Sequence, residues 1–209
     1  MKLIVKADSN QQKEIPPSGT FIARCIQIID LGTQEDEYQG QTKHLRKILI
    51  MWELPTEVKV FDEKKGEQPF VISKQFTLSL GDKANLRKVL ESWRGKGFTE
   101  EELKGFDIEK LLDKPCMLSI IHKQSKSTGN NYATITGVSE VPKGLKCDKR
   151  VNPLVSFSLQ ETFDKKVFDE LYEWQQKLIK DSPEYQELMN PSQKEITADD
   201  LIGTDEPPF

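Results

Sequence analysis

Apolar residues fall into a series of strand-length runs separated by polar, turn-rich stretches. Thr20 to Leu31 is rich in Ile, Phe and small residues and predicts a long first strand after the turn cluster Pro16-Pro17-Ser18-Gly19. Gly32 to Thr42 is polar and predicts a loop or hairpin, and Lys43 to Leu54 predicts a second strand closed by Pro55. The charged stretch from Glu57 to Pro69 reads as turn-like. Phe70 to Leu80 predicts a third strand with near alternation, Phe70, Ile72, Phe76 and Leu78 on one face and Val71, Ser73, Gln75 and Thr77 on the other. Lys74 interrupts the apolar set, so it marks either a strand bend or a lysine held there for a purpose.

The period then changes from two to that of a helix. Ala84, Leu86, Val89, Leu90 and Trp93 follow Asp82, a candidate N-cap, and Gly95 and Gly97 end the run. Thr99 with Glu102 three residues on is the signature of a capping box and predicts a second, short helix. Lys114 to Lys123 and Tyr132 to Val141 predict a fourth and a fifth strand around a polar loop, Ser125 to Asn131. After a linker from Pro142 to Pro153, Leu154 to Leu159 predicts a short strand. Phe163, Val167, Leu171, Trp174 and Leu178 then recur at helical spacing and predict one amphipathic helix. Its apolar face either packs back on the sheet, the expected arrangement, or meets a second copy in a homo-oligomer.

Three strands, a helical insert and two further strands is the order of an OB-type barrel, a five-stranded Greek-key β-barrel. The expected fold is therefore mostly β: such a barrel with its insert between strands 3 and 4, a C-terminal amphipathic helix and a disordered acidic tail. The expected division is an N-terminal extension at 1–19, the OB unit at 20–144, a linker and helical extension at 145–189, and the tail at 190–209.

Charge sharpens this picture. The net charge is −4, which by itself argues against nucleic acid. Residues 1–153, however, carry 25 Lys and Arg against 21 Asp and Glu, and residues 154–209 carry 5 against 13. A mildly basic body with a strongly acidic end is a layout found among nucleic-acid-binding proteins. Cys25, Cys116 and Cys147 are scattered, with no CxxC. That argues against a disulfide framework or a metal site and fits a reducing compartment. No apolar run approaches the ~20 residues of a membrane span, and Met1 to Asp8 leaves no room for a signal-peptide core. A cytoplasmic location without membrane partners is the expectation.

An OB barrel presents a groove across its middle strands, flanked by the loops joining strands 1 and 2 and strands 4 and 5. Single strands bind such grooves by stacking bases on aromatic rings and neutralising phosphates with Lys or Arg. The residues of those types are Tyr38, Lys43, Arg46 and Lys47 around the first loop, Lys74 on the third strand, and Lys123, Lys126 and Tyr132 around the fourth-to-fifth hairpin. Arg94 and Lys96 lie at the glycine-rich end of the insert. Trp52 and Trp93 sit in apolar runs and read as core. Signatures of catalysis are missing: there is no GxxxxGK[ST], GxSxG or HExxH, so neither a catalytic residue nor a cofactor is expected.

The end of the chain is its most specific feature. Asp199, Asp200, Asp205 and Glu206 lead into Pro207-Pro208-Phe209. A partner with a basic rim and an apolar pocket would hold the acids, the ring and the terminal carboxylate. Asp205, Glu206, Pro207, Pro208 and Phe209 are therefore the candidate partner-binding residues. This tip resembles that of bacterial single-stranded-DNA-binding proteins, which end in acids followed by Ile-Pro-Phe; Pro207 replaces the Ile here, and the acidic run is sparser. The stretches IIDLGTQ (28–34), ISKQFTLSL (72–80) and LESWRGKGFTEEELKGFDIEKLLDKPC (90–116) resemble single-strand-binding proteins encoded by bacteriophages and prophages. That resemblance implies an OB fold, coating of single-stranded DNA during phage replication or recombination in the host cytoplasm, recruitment of replication and recombination proteins through the tip, and no catalytic residues. The alternatives are a recombination adaptor with weak DNA affinity and an RNA-binding OB protein.

Overall fold

The computed structural model describes residues 14–38, 40–160 and 163–190. The chain is mostly β. Five antiparallel strands form one curled sheet: β1 (Gly19–Tyr38), β2 (Gln41–Asp62), β3 (Gly66–Thr77), β4 (Pro115–Gln124) and β5 (Asn131–Ser139), in the spatial order β3-β2-β1-β4-β5. Helices α1 (Asn85–Arg94) and α2 (Glu100–Lys104) and a 3-10 turn at Ile108–Leu111 lie between β3 and β4. After β5 come β6 (Val155–Phe157), α3 (Lys165–Glu170), α4 (Glu173–Lys180) and α5 (Pro183–Met189). β6 adds to β1 in parallel along Gln27–Ile29.

Two apolar cores explain why the central strands form where they do. The first fills the inside of the curl, with Ile48, Ile50, Trp52, Ile72, Phe76, Leu118 and Ile135 meeting Leu86, Leu90 and Trp93 of α1. The second lies on the other side of β1 and β2, where Ile29, Leu31 and Leu49 meet Phe157, Leu159, Phe168, Leu171 and Ile179. The unbroken run Ile48 to Trp52 follows from this. A strand buried on both faces needs no polar alternation, and Ile48, Ile50 and Trp52 feed one core while Leu49 feeds the other. Trp93 turns its indole N–H to the Pro115 carbonyl at 2.8 Å. The expectation that Trp52 and Trp93 are core therefore holds, and Cys25 and Cys116 are fully buried in the same core.

Local signals translate unevenly. Thr99 and Glu102 form the expected capping box. Asp82, expected to cap α1, instead pairs with Arg87, and Ala84 occupies the cap without a side-chain hydrogen bond. The first two strands run well past their expected ends, β1 to Tyr38 and β2 to Asp62, making a hairpin of Gly32 to Thr42 and carrying β2 into the stretch expected to be turn-like. Those arms are largely exposed, so no buried face imposes alternation on them; their cross-strand ladder, Glu35↔His44 and Val60↔Glu67 among its pairs, is what makes them strands. Gly32 is the exception within β1. It sits at φ +70°, and a Cβ there would fall 2.5 Å from the Ser182 side chain, so only glycine lets α5 approach β1 this closely.

The single amphipathic helix expected around Phe163 to Leu178 is broken into α3 and α4. Leu171 and Tyr172 are both extended, which ends α3 and restarts the helix in a new phase. Gln175 and Ile179 become the buried pair of α4, and Trp174 is left 41% exposed. The helices do pack back on the sheet, and buried polar contacts hold them there. Gln175 donates to the Gln27 side-chain oxygen at 3.1 Å. Glu184 of α5 accepts the Thr33 backbone N–H at 2.8 Å and the Thr33 hydroxyl at 2.6 Å.

Burial works against the ionised Glu184 carboxyl, but the hydrogen bonds from Thr33 outweigh it and hold its pKa below the ordinary glutamate value. A depressed carboxyl pKa contributes stability that is present above the unfolded value, ~4.3, and is lost as pH falls through the folded value. Glu184→Gln is therefore expected to lower the thermal midpoint at neutral pH, and the gap from wild type should close on acidification. A gap undiminished down to acid unfolding would show that the Glu184 charge does not hold α5.

Candidate functional site

The long hairpin of β1 and β2, the end of β3 and the loop entering α1 enclose an open groove of about 840 Å³. Lys43 and Lys47 of β2, Lys74 of β3 and Lys83 of the loop line it, with Phe76 at its base and Asn85 beginning α1. Two acids, Asp36 and Asp82, share the lining. Lys47 hydrogen-bonds Asp36 and also donates to the Thr77 hydroxyl at 3.2 Å. That hydrogen bond and the ammonium charge hold the Asp36 carboxyl below its usual value. The uncapped N-terminus of α1 opens on the same groove, where the positive end of a helix adds to the lysine field.

Lys74, like Lys47, is half-buried. Its ammonium donates to the Ile135 carbonyl of β5 at 2.9 Å and lies 5.7 Å from the Phe76 ring centre. Burial pushes its pKa below the ordinary lysine range, and the like charge of Lys123 pushes the same way. Lys123 and Tyr132 face each other across the β4–β5 hairpin, Tyr132 with 44% of its surface exposed, and Lys126 is exposed at the hairpin tip.

The structure thus brings Lys43, Lys47 and Lys74 into one groove and sets Lys123 near Lys74. It directs Arg46 and Arg94 elsewhere. Arg46 binds Asp30 through two nitrogens, at 2.5 and 3.3 Å, and comes within 4.0 Å of Glu184. Asp30 also accepts the backbone N–H groups of Gly32 and Leu159. Arg46 therefore ties the C-terminal segment to β1. Arg94 pairs with Glu102 and stacks 4.4 Å from the Phe98 ring centre and 4.9 Å from that of Phe106, holding the insert together. A helix rises ~1.5 Å per residue, so Arg94 and the exposed Lys96 lie one helix length from the groove at the start of α1. Tyr38 ends β1, and its side chain lies outside what the structure describes, as do Asp205 to Phe209.

Sequence reasoning missed Lys83. It sits beside Asp82 in a short loop, and only the fold of β3 against α1 brings it to the groove. Among the described residues no group of three or more His, Cys, Asp or Glu side chains could hold a metal ion. Burial raises the thiol pKa values of Cys25, Cys116 and Cys147, which disfavours the reactive thiolate. No helix is long and apolar enough to cross a membrane among the described residues. Comparison of the sequence with protein-family models and with curated proteins gives no match.

Proposed function

We propose that the curled sheet is an OB-type barrel and that the protein coats single-stranded DNA, without catalysis, during replication or recombination of the phage kind. The observation that carries this reading is the convergence of Lys43, Lys47, Lys74 and Lys83 on one open groove beside the β1–β2 hairpin. The strand order, the helical insert between β3 and β4 and the approach of β3 to β5 support the barrel. A groove of cations takes the phosphate backbone, and the exposed Tyr132 beside Lys123 offers a face on which an unpaired base stacks. A duplex hides its bases from such a face. The acidic segment Asp205 to Phe209 serves as a separate handle for replication and recombination proteins, by capture of its carboxylates and of the Phe209 ring.

The test has two arms. Fluorescence anisotropy with a labelled thymidine oligonucleotide, a duplex and an RNA of equal length should show the single-stranded DNA bound most tightly. Equal affinity for duplex sinks the groove reading, and tighter binding of RNA makes the protein an RNA binder. In the second arm, Phe209→Ala is expected to retain the DNA affinity but lose replication proteins from a pull-down that wild type retains. Identical pull-downs make the tail a solubilising end only.

A further inference from the structure

β3 and β5 are the two ends of the sheet's hydrogen-bonded path and lie against each other, yet among the described residues no backbone ladder joins them. Lys74 bridges this seam from the side of the first core. It is the cross-strand partner of the fully buried Ile50, and its ammonium reaches across to the Ile135 carbonyl at 2.9 Å. The same side chain lines the lysine groove, while no β5 residue does. An ammonium carries three N–H groups, and the Ile135 carbonyl uses one.

The groove puts Lys74 among like charges. Lys43, Lys47 and Lys83 share its lining, Lys123 adds to the field, and Asp36 and Asp82 offset it only in part. Repulsion of this kind favours a swing of the long side chain toward solvent, which releases Ile135. A phosphate in the groove reverses the balance by neutralising the field and accepting the N–H groups that Ile135 leaves over.

Resting on the groove reading above, we infer that Lys74 is a positioning residue that couples occupancy of the groove by an anionic strand to closure of the β3–β5 seam. The coupling is reciprocal: whatever closes the seam raises affinity for the strand, by the same factor as the strand favours closure. Lys74 then differs from Lys43 and Lys47, which line the groove from β2.

Hydrogen exchange of the full chain, with and without a saturating thymidine oligonucleotide, reads this directly, with binding followed independently by anisotropy. In wild type the strand should slow exchange of the 135–139 segment of β5 several-fold, although that segment does not line the groove. Lys74→Met, which keeps the apolar stem, should bind on the order of tenfold more weakly and leave 135–139 unresponsive at saturation. Lys74→Arg should restore the response, and Lys43→Ala should weaken binding while keeping it. The coupling is overturned if saturated wild type shows no slowing in 135–139, or if Lys74→Met responds as wild type does. The wild-type comparison decides the matter even if Lys74→Met fails to fold. A wild type that binds no strand at all removes the groove reading itself, and the coupling with it.

Discussion

Glu53→Ala is expected to lower the stability of the chain by about 3 kcal/mol or more. Glu53 is fully buried, at 0% exposure, in the middle of β2. Its two oxygens accept the backbone N–H groups of Val151 and Asn152, each at 2.8 Å, and the Asn152 side-chain amide at 2.6 Å. These bonds fix the segment that leaves β5 for β6 against the sheet. Alanine takes the charged acceptor from three part-buried donors, and a hydrogen bond to a charged group is worth about 1.5–3 kcal/mol. Glu53→Gln should also destabilise, because its NH₂ group meets N–H donors where an oxygen stood. Urea unfolding of both variants checks this, with Glu63→Ala on the exposed β2–β3 turn as a control expected within about 0.5 kcal/mol of wild type. A loss under about 1 kcal/mol for Glu53→Ala would mean that the C-terminal segment is held mainly by the second apolar core.

The second large effect concerns binding. Replacing Lys43, Lys47 and Lys83 together by Ala should weaken single-strand binding on the order of 100-fold at low salt. These three line the groove, and none is among the buried core residues, so the fold should survive. Tyr132→Ala should weaken binding by about 1–3 kcal/mol through lost stacking, with no change in its salt dependence. Arg46→Ala should behave differently from the groove lysines. It strips Asp30 of its guanidinium partner and loosens the anchor that also holds Leu159, so its effect should appear in unfolding before it appears in binding.

That contrast shows where the sequence was legible. Signals carried by a few neighbouring residues came through: the Thr99 and Glu102 cap, the alternation of Ile72 and Phe76, and the apolar burial of Trp52 and Trp93. The pattern failed where a residue's role is set by something far along the chain. Arg46 and Lys47 are adjacent cations, yet one is taken up by Asp30 and the other lines a groove. Nothing within several residues of either distinguishes them. Glu53 is a polar residue at the end of an apolar run, and only the return of residues 151 and 152 reveals why it is buried. The hairpin alternative for Gly32 to Thr42 holds, but the extent of the arms was not legible, because a strand exposed on both faces has no hydrophobic period. The break between α3 and α4 was hidden because the apolar spacing continued across two extended residues.

The most direct measurement of the central claim is the salt dependence of binding to a thymidine oligonucleotide, for wild type and for the variant lacking Lys43, Lys47 and Lys83. Each phosphate neutralised on a single strand contributes a slope of about −0.7 to log K against log salt. Wild type should show a steep negative slope and the variant one flatter by about 2. Parallel lines for the two proteins, or wild-type binding indifferent to salt, would contradict the claim.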